Sequence, residues 1–173
     1  MDKSLVGIVM GSDSDLPVMK EAADILNDLG VAYETIISSA HRAPEKTAEY
    51  ARTAAGRGLQ AIIAGAGGAA HLPGVIASLT NLPVIGVPIK SGALNGIDAL
   101  YAIVQMPSGI PVATVAINGS KNAGILAAQI IALKDDAVRY RLEKYKFGLA
   151  RQVEEKDSRL RSTGIENYLA GRG

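Results

Sequence analysis

The sequence predicts an α/β fold of three layers (α/β/α), a five-stranded parallel sheet with helices on both faces, followed by a C-terminal helical extension. Three observations predict it. Short, nearly all-apolar runs recur along the chain, as strands covered on both faces should. Amphipathic helical patterns alternate with them. Glycine- or hydroxyl-rich loops follow the runs, where an open parallel sheet places its ligand. A flavodoxin-like strand order, 2-1-3-4-5, suits the strand count, whereas the rival Rossmann order usually wants about six strands.

The strand runs are residues 5–10, 33–37, 61–64, 83–87 and 112–116. The second carries Glu34 and Thr35 and so suits a sheet edge. Residues 14–29 put Leu16, Met19, Ala23 and Leu26 on one helical face and stop at Gly30, a natural residue just past a helix end. A helix over 45–55 follows Pro44, favoured in a first turn. Residues 71–80 are apolar nearly all round and should be buried, and 96–104 and 122–133 complete the set. From about Asp135 the chain becomes heavily charged, yet Val138, Leu142, Tyr145, Leu149 and Val153 recur at helical spacing. Such a stripe must be covered, either by its own domain or by a neighbouring subunit. Residues 1–134 therefore read as a flavodoxin-like domain and 135–173 as a helical extension packing on that domain or on a neighbouring subunit, with no repeat, linker or low-complexity tract.

Composition narrows the function classes. The 173 residues suit one core, and 48 % apolar against 4 % aromatic makes that core aliphatic. A net charge of +1 is too balanced for nonspecific attraction to nucleic acid or an anionic membrane, so an anionic ligand must be caught locally. The absence of cysteine excludes disulfides, thiolate metal sites and thiol nucleophiles. The apolar run at 5–10 is far too short for a membrane span and no signal-peptide pattern follows it, which gives a cytoplasmic expectation.

With the proposed order, the ligand edge lies between strands 1 and 3. The loops there are Gly11-Ser12-Asp13-Ser14-Asp15 and Gly65-Ala66-Gly67-Gly68-Ala69-Ala70-His71, with Ser38-Ser39-Ala40-His41-Arg42-Ala43-Pro44 adjacent. Together they hold both histidines of the protein. The first loop can cap a helix or hold phosphate with its hydroxyls and amides; its paired aspartates would repel a phosphate but suit a ribose diol. In the second, Arg42 can grip a phosphate with two charge-assisted bonds and would favour a neutral His41. In the third, small residues let backbone approach a planar ligand with amides pointing into the gap, and a helix-packing turn is the alternative. His71 begins a helix, which it could cap, or it could touch phosphate. Lys90-Ser91-Gly92 and Gln105-Met106-Pro107 are candidate pocket walls. The chain lacks the Gly-x-Gly-x-x-Gly turn, a P-loop ending, histidine–carboxylate metal spacing and a Gly-x-Ser-x-Gly elbow.

Four motifs in order then carry a resemblance: Met10-Gly11-Ser12-Asp13-Ser14-Asp15, Ser39-Ala40-His41-Arg42-x-Pro44, Ala64-Gly65-Ala66-Gly67-Gly68-Ala69-Ala70-His71-Leu72-Pro73-Gly74 and Ile103-Val104-Gln105-Met106-Pro107. Over about residues 5–133 the chain resembles the N5-carboxyaminoimidazole ribonucleotide mutases, the class I family of phosphoribosylaminoimidazole carboxylase catalytic subunits. Pro83-Val84-Ile85-Gly86-Val87-Pro88 and residues 116–123 fit as well. The resemblance implies an isomerase of purine biosynthesis that moves a carboxylate from the exocyclic nitrogen to C4 of an aminoimidazole ribonucleotide. It also implies no cofactor, trapped CO2 and a homo-octamer with active sites at subunit contacts, beside the expectation from charge and the N-terminus of a cytoplasmic protein with no nucleic-acid or membrane partner. Carried over, His41 is the catalytic proton shuttle, Ser12, Ser39 and Arg42 contact the phosphate, and Asp15 contacts the ribose. Gly67 and Gly68 belong to the backbone facing base and CO2, and His71 is grouped with the substrate contacts. A related branch carboxylates aminoimidazole ribonucleotide directly and is expected to carry lysine at the position of Arg42. A sugar-phosphate-binding module without chemistry is the alternative of another class. A flavin electron carrier is disfavoured by one Phe and no Trp.

Overall fold

A computed structural model describes residues 3–171. Five strands form one parallel sheet in the order β2-β1-β3-β4-β5. They are β1 (Val6–Met10), β2 (Tyr33–Ile37), β3 (Ala61–Gly67), β4 (Val84–Ile89) and β5 (Ala113–Thr114). Between them run α1 (Leu16–Asp28), α2 (Pro44–Arg57), α3 (Leu72–Ala77), α4 (Ile97–Val104) and α5 (Ser120–Ala132), and α6 (Asp136–Ala170) follows. The expected strand order holds, with β2 at an edge where Glu34 and Thr35 remain at least partly accessible.

The central strands are buried along their length because helices cover both faces. One core gathers Ile8, Met10, Ile63, Ile85 and Val87 under α1 and α5, and the other gathers Val9, Ile62, Ala64 and Val84 under α2, α3 and α4. Both are aliphatic, as the composition requires. The buried face of α1 is Met19, Ala22, Ile25 and Leu26; Leu16, expected on that face, is the first residue of the helix and is exposed. Gly30 takes φ +64° after the helix end, as expected.

Two strands outrun their expected ends. β3 continues through Gly65-Ala66-Gly67, which pair with Val87, Pro88 and Ile89 of β4. These glycines are strand residues with no room for a side chain: a Cβ at Gly65 would lie 2.4 Å from Met19 Sδ. β4 likewise passes through Pro88. Its carbonyl accepts from Asn118 N–H at 2.8 Å, so its missing N–H faces the side where β5 has already ended. A proline costs no ladder bond there. β5 itself shrinks from the expected 112–116 to its paired core.

The charged C-terminal segment is one long helix, broken only at Gly164 (φ 72°, ψ 166°). Asp135 caps it, accepting from the N–H groups of Ala137 and Val138 at 2.9 and 3.0 Å. Val138 and Leu142 are buried in the core, and Tyr145 packs partly against it. Arg141 donates to the carbonyls of Leu29 and Gly30, placing a cation at the C-terminus of α1. Further out, Leu149 and Val153 are exposed, so the stripe is covered by its own chain only in its first half. Residues 1–2 and 172–173, the ends of the expected partition, lie outside the described residues. Among those described, no helix is long and apolar enough to cross a membrane.

Candidate active site

The three expected loops converge at the carboxyl edge of β1, β2 and β3 around a cavity of about 470 Å³. Its lining includes Ser12, Asp15, Ser39, His41, Arg42, Gly67, Gly68 and His71, the residues to which the family resemblance gives site roles. β1 sits between β2 and β3, so this edge is the point where strand order reverses.

The first loop is held by its own side chains. Ser12 Oγ donates to Asp13 Oδ1 at 3.0 Å and accepts from Ser14 N–H at 3.4 Å, capping the 3-10 turn. Ser12 thus fills the cap role and lines the cavity at once. Burial pushes the Asp15 carboxyl above its usual value, against hydrogen bonds from the backbone of Ser12 and Gly11 and the Ser14 hydroxyl, which pull it down.

The second loop is fastened below and crossed above. Thr47 donates its proton to the Ala43 carbonyl at 3.2 Å, so in the buried 2.8 Å contact between the hydroxyls of Ser38 and Thr47 Ser38 is the donor. This pins the loop to α2. Arg42 reaches over the cavity, its guanidinium donating to Gly11 O at 3.0 Å and its Nε to Ser39 Oγ at 3.4 Å. One cation, the accessible Arg42 guanidinium, and two hydroxyls, Ser12 and Ser39, therefore share one end of the cavity.

The third loop is shorter than expected, because Gly65–67 belong to β3. It turns through Gly68 (φ +61°) and Ala70 (φ +47°) and enters α3 at His71. His71 makes no cap bond. Instead its Nδ1 lies 2.8 Å from His41 Nε2, with the rings edge to face at 79°. One of these nitrogens must donate and the other accept, so the contact couples the two tautomers and fixes the orientation of both rings. This pairing spans 30 residues of chain and has no signature in the sequence.

Two further expectations are corrected. Gln105, Met106 and Pro107 do not line the cavity; Met106 lies against Gly74 of α3, where an added Cβ would meet its sulfur at 2.9 Å. The Gly68 amide does not stand free in the gap but donates to Ser91 Oγ at 3.0 Å. Of the candidate wall Lys90-Ser91-Gly92, only Ser91 lines the cavity. Gly67 pairs with Ile89, a register that brings the residues just after β4 beside the turn.

A family model described as AIRC, AIR carboxylase, matches residues 5–152. This chain belongs to the AIR carboxylase family. It is 63 % identical to the N5-carboxyaminoimidazole ribonucleotide mutase of Pyrococcus horikoshii, over 98 % of this chain and 96 % of that one. It is 59 % identical to the enzyme of the same name from Thermotoga maritima, over 95 % and 96 %. The phosphoribosylaminoimidazole carboxylase of Schizosaccharomyces pombe is 55 % identical over 98 % of this chain but only 31 % of its own length. Among solved structures, Treponema denticola PurE superposes with a TM-score of 0.83 at 32 % identity, covering 91 % of this chain and 98 % of that one. The match reaches residue 152 and so takes in the first half of α6, beyond the motif-bearing core.

Proposed function

We propose that this family member converts N5-carboxyaminoimidazole ribonucleotide to 4-carboxy-5-aminoimidazole ribonucleotide in de novo purine (IMP) biosynthesis, as a cofactor-free isomerase. The observation that carries the reading is the cavity: His41 lines it together with the Ser12 and Ser39 hydroxyls, the Arg42 guanidinium and the small residues Ala66, Gly67, Gly68 and Ala70. The names of the most similar relatives supply the substrate pair.

In this reading Ser12, Ser39 and Arg42 hold the phosphate and Asp15 accepts from the ribose hydroxyls. The carbamate C–N bond breaks with protonation of the exocyclic nitrogen, giving aminoimidazole ribonucleotide and CO2. C4 then attacks CO2, a C–C bond forms, and the C4 proton leaves. One proton enters and one departs, so a single reversible base serves both steps, and His41 is that base. His71 holds the His41 ring in place through their shared contact. CO2 carries no charge to grip, so the wall at Gly67 and Gly68 keeps it by enclosure.

The fungal relatives named phosphoribosylaminoimidazole carboxylase favour a second reading, direct carboxylation of aminoimidazole ribonucleotide with CO2. Arg42, in place of the lysine expected in a direct carboxylase, supports the mutase. Purified protein should convert N5-carboxyaminoimidazole ribonucleotide and be slow with aminoimidazole ribonucleotide plus bicarbonate. The reverse preference replaces the mutase with the carboxylase, and no product from either leaves a binding module.

Residues 1–134 form the catalytic unit in this proposal, and 135–173 the extension that completes a homo-octamer. Apolar side chains exposed on outer α6, Phe147, Val153 and Ile165 among them, support the assembly, which sedimentation tests. A phosphorylated substrate does not cross membranes unaided, which suits a cytoplasmic enzyme.

A further inference from the structure

We propose that Ser91 is a positioning residue: its hydroxyl holds the Gly67–Gly68 turn in the shape that confines the carboxyl group between its release from nitrogen and its capture at C4. This deepens the mutase reading and rests on it.

The turn cannot hold this shape by local preference. Ala70 sits at φ +47°, a left-handed conformation that an alanine rarely adopts, and its N–H returns to Gly67 O at 3.2 Å. Strain of that kind persists only where surrounding structure over-determines it. The restraint is Ser91, whose Oγ accepts from Gly68 N–H at 3.0 Å. The two segments are as close as glycine allows: a Cβ at Gly67 would lie 2.8 Å from Ser91 Oγ and 3.2 Å from Ile89 O.

Ser91 is itself anchored from behind. Lys90 N–H donates to Asn118 Oδ1 at 2.8 Å, and Asn118 N–H donates to Pro88 O at the same distance. The end of β4 is thereby tied to the segment after β5, and Ser91 passes that fixed position to the turn. Without the serine hydroxyl, Gly68 N–H has no partner among the described residues and is free to rotate into the cavity. The wall would then open at the place where an uncharged molecule depends on it.

Two readouts test this in the full-length protein. In the first, substrate labelled at the carbamate carbon is turned over in unlabelled bicarbonate with carbonic anhydrase present, and label retained in product is counted against an enzyme-free control. Ser91→Ala should shift the partition between recapture and escape toward escape by about two- to tenfold, the range one net hydrogen bond corresponds to. It should lower kcat with KM little changed and the melting temperature intact. Ser91→Thr, which keeps the hydroxyl, should restore retention. In the second, amide exchange of a peptide spanning the turn should quicken in Ser91→Ala and slow again in Ser91→Thr. Full label retention in Ser91→Ala overturns the proposal, as does failure of Ser91→Thr to rescue. If the wild-type protein does not convert the substrate, the mutase reading fails, while unchanged exchange in Ser91→Ala would separately refute the positioning.

Discussion

The role proposed for His41 rests on geometry that only the fold creates. Its Nε2 is tied to His71 Nδ1, and no other hydrogen bond to either ring is present among the described residues. Replacing His41 with Asn removes the proton carrier but little of the phosphate grip. Turnover should fall by about 10²- to 10⁴-fold while calorimetry still detects ribonucleotide binding. A mutant retaining most of its rate would remove His41 from the chemistry. Asp15 makes the complementary case, a residue held at a cost. Because burial raises its folded value above the ordinary 3.8, the native state holds that proton more tightly than the unfolded chain. Stability from this group is therefore highest below 3.8 and declines as pH climbs through the folded value. Asp15→Asn should melt higher than wild type at neutral pH, the difference vanishing under acid, and should bind the ribonucleotide more weakly. A lower melting temperature at neutral pH would show that the Ser14 and backbone hydrogen bonds outweigh the burial.

At the scale of elements, the order of strands was legible because apolar runs and helical periodicity agree along the chain. The bounds of β3 and β4 were less so, because Gly65, Gly67 and Pro88 are ordinarily strand breakers. Each is accommodated by a neighbour far away in sequence: Met19 crowds Gly65, and β5 ends before Pro88 needs a donor. The candidate site was readable to the same extent and for the same reason. Its loops follow strands whose order is predictable, so Ser12, Asp15, Ser39 and Arg42 could be placed; the His41–His71 contact and the Ser91 restraint cross between loops and could not. Close packing of this kind also governs the helix layer. Gly124 on α5 faces α1, where an added Cβ would lie 2.4 Å from Ile25 Cγ2 and 3.0 Å from the Ala22 carbonyl. Alanine there gains about 1 kcal/mol of helix propensity but forces apart two packed backbones, at about 1–3 kcal/mol. Gly124→Ala should lose stability on balance, by up to about 2 kcal/mol in urea unfolding, and a stabilised variant would mean the helices separate freely.

The molecule as a whole ends in a helix that its own domain uses only at its base. Val138 and Leu142 are buried and Arg141 clamps the end of α1, so residues 136–142 belong to the fold. Beyond them Phe147 and Val153 are 68 % and 66 % exposed, large apolar side chains that the chain's own domain leaves uncovered on a charged helix. A second copy of the chain is the partner the proposed octamer provides. Phe147→Glu combined with Val153→Glu separates the two roles of the helix. Neither side chain supports the domain, so unfolding of the isolated chain should change by about 0.5 kcal/mol or less per site. Sedimentation, in contrast, should show the assembly breaking into smaller species, with activity falling in step if the sites lie at subunit contacts. An intact assembly in the double variant would place the octamer contacts elsewhere, and the exposed apolar helix α4, with Ile97, Tyr101 and Val104 open to solvent, would be the next surface to charge.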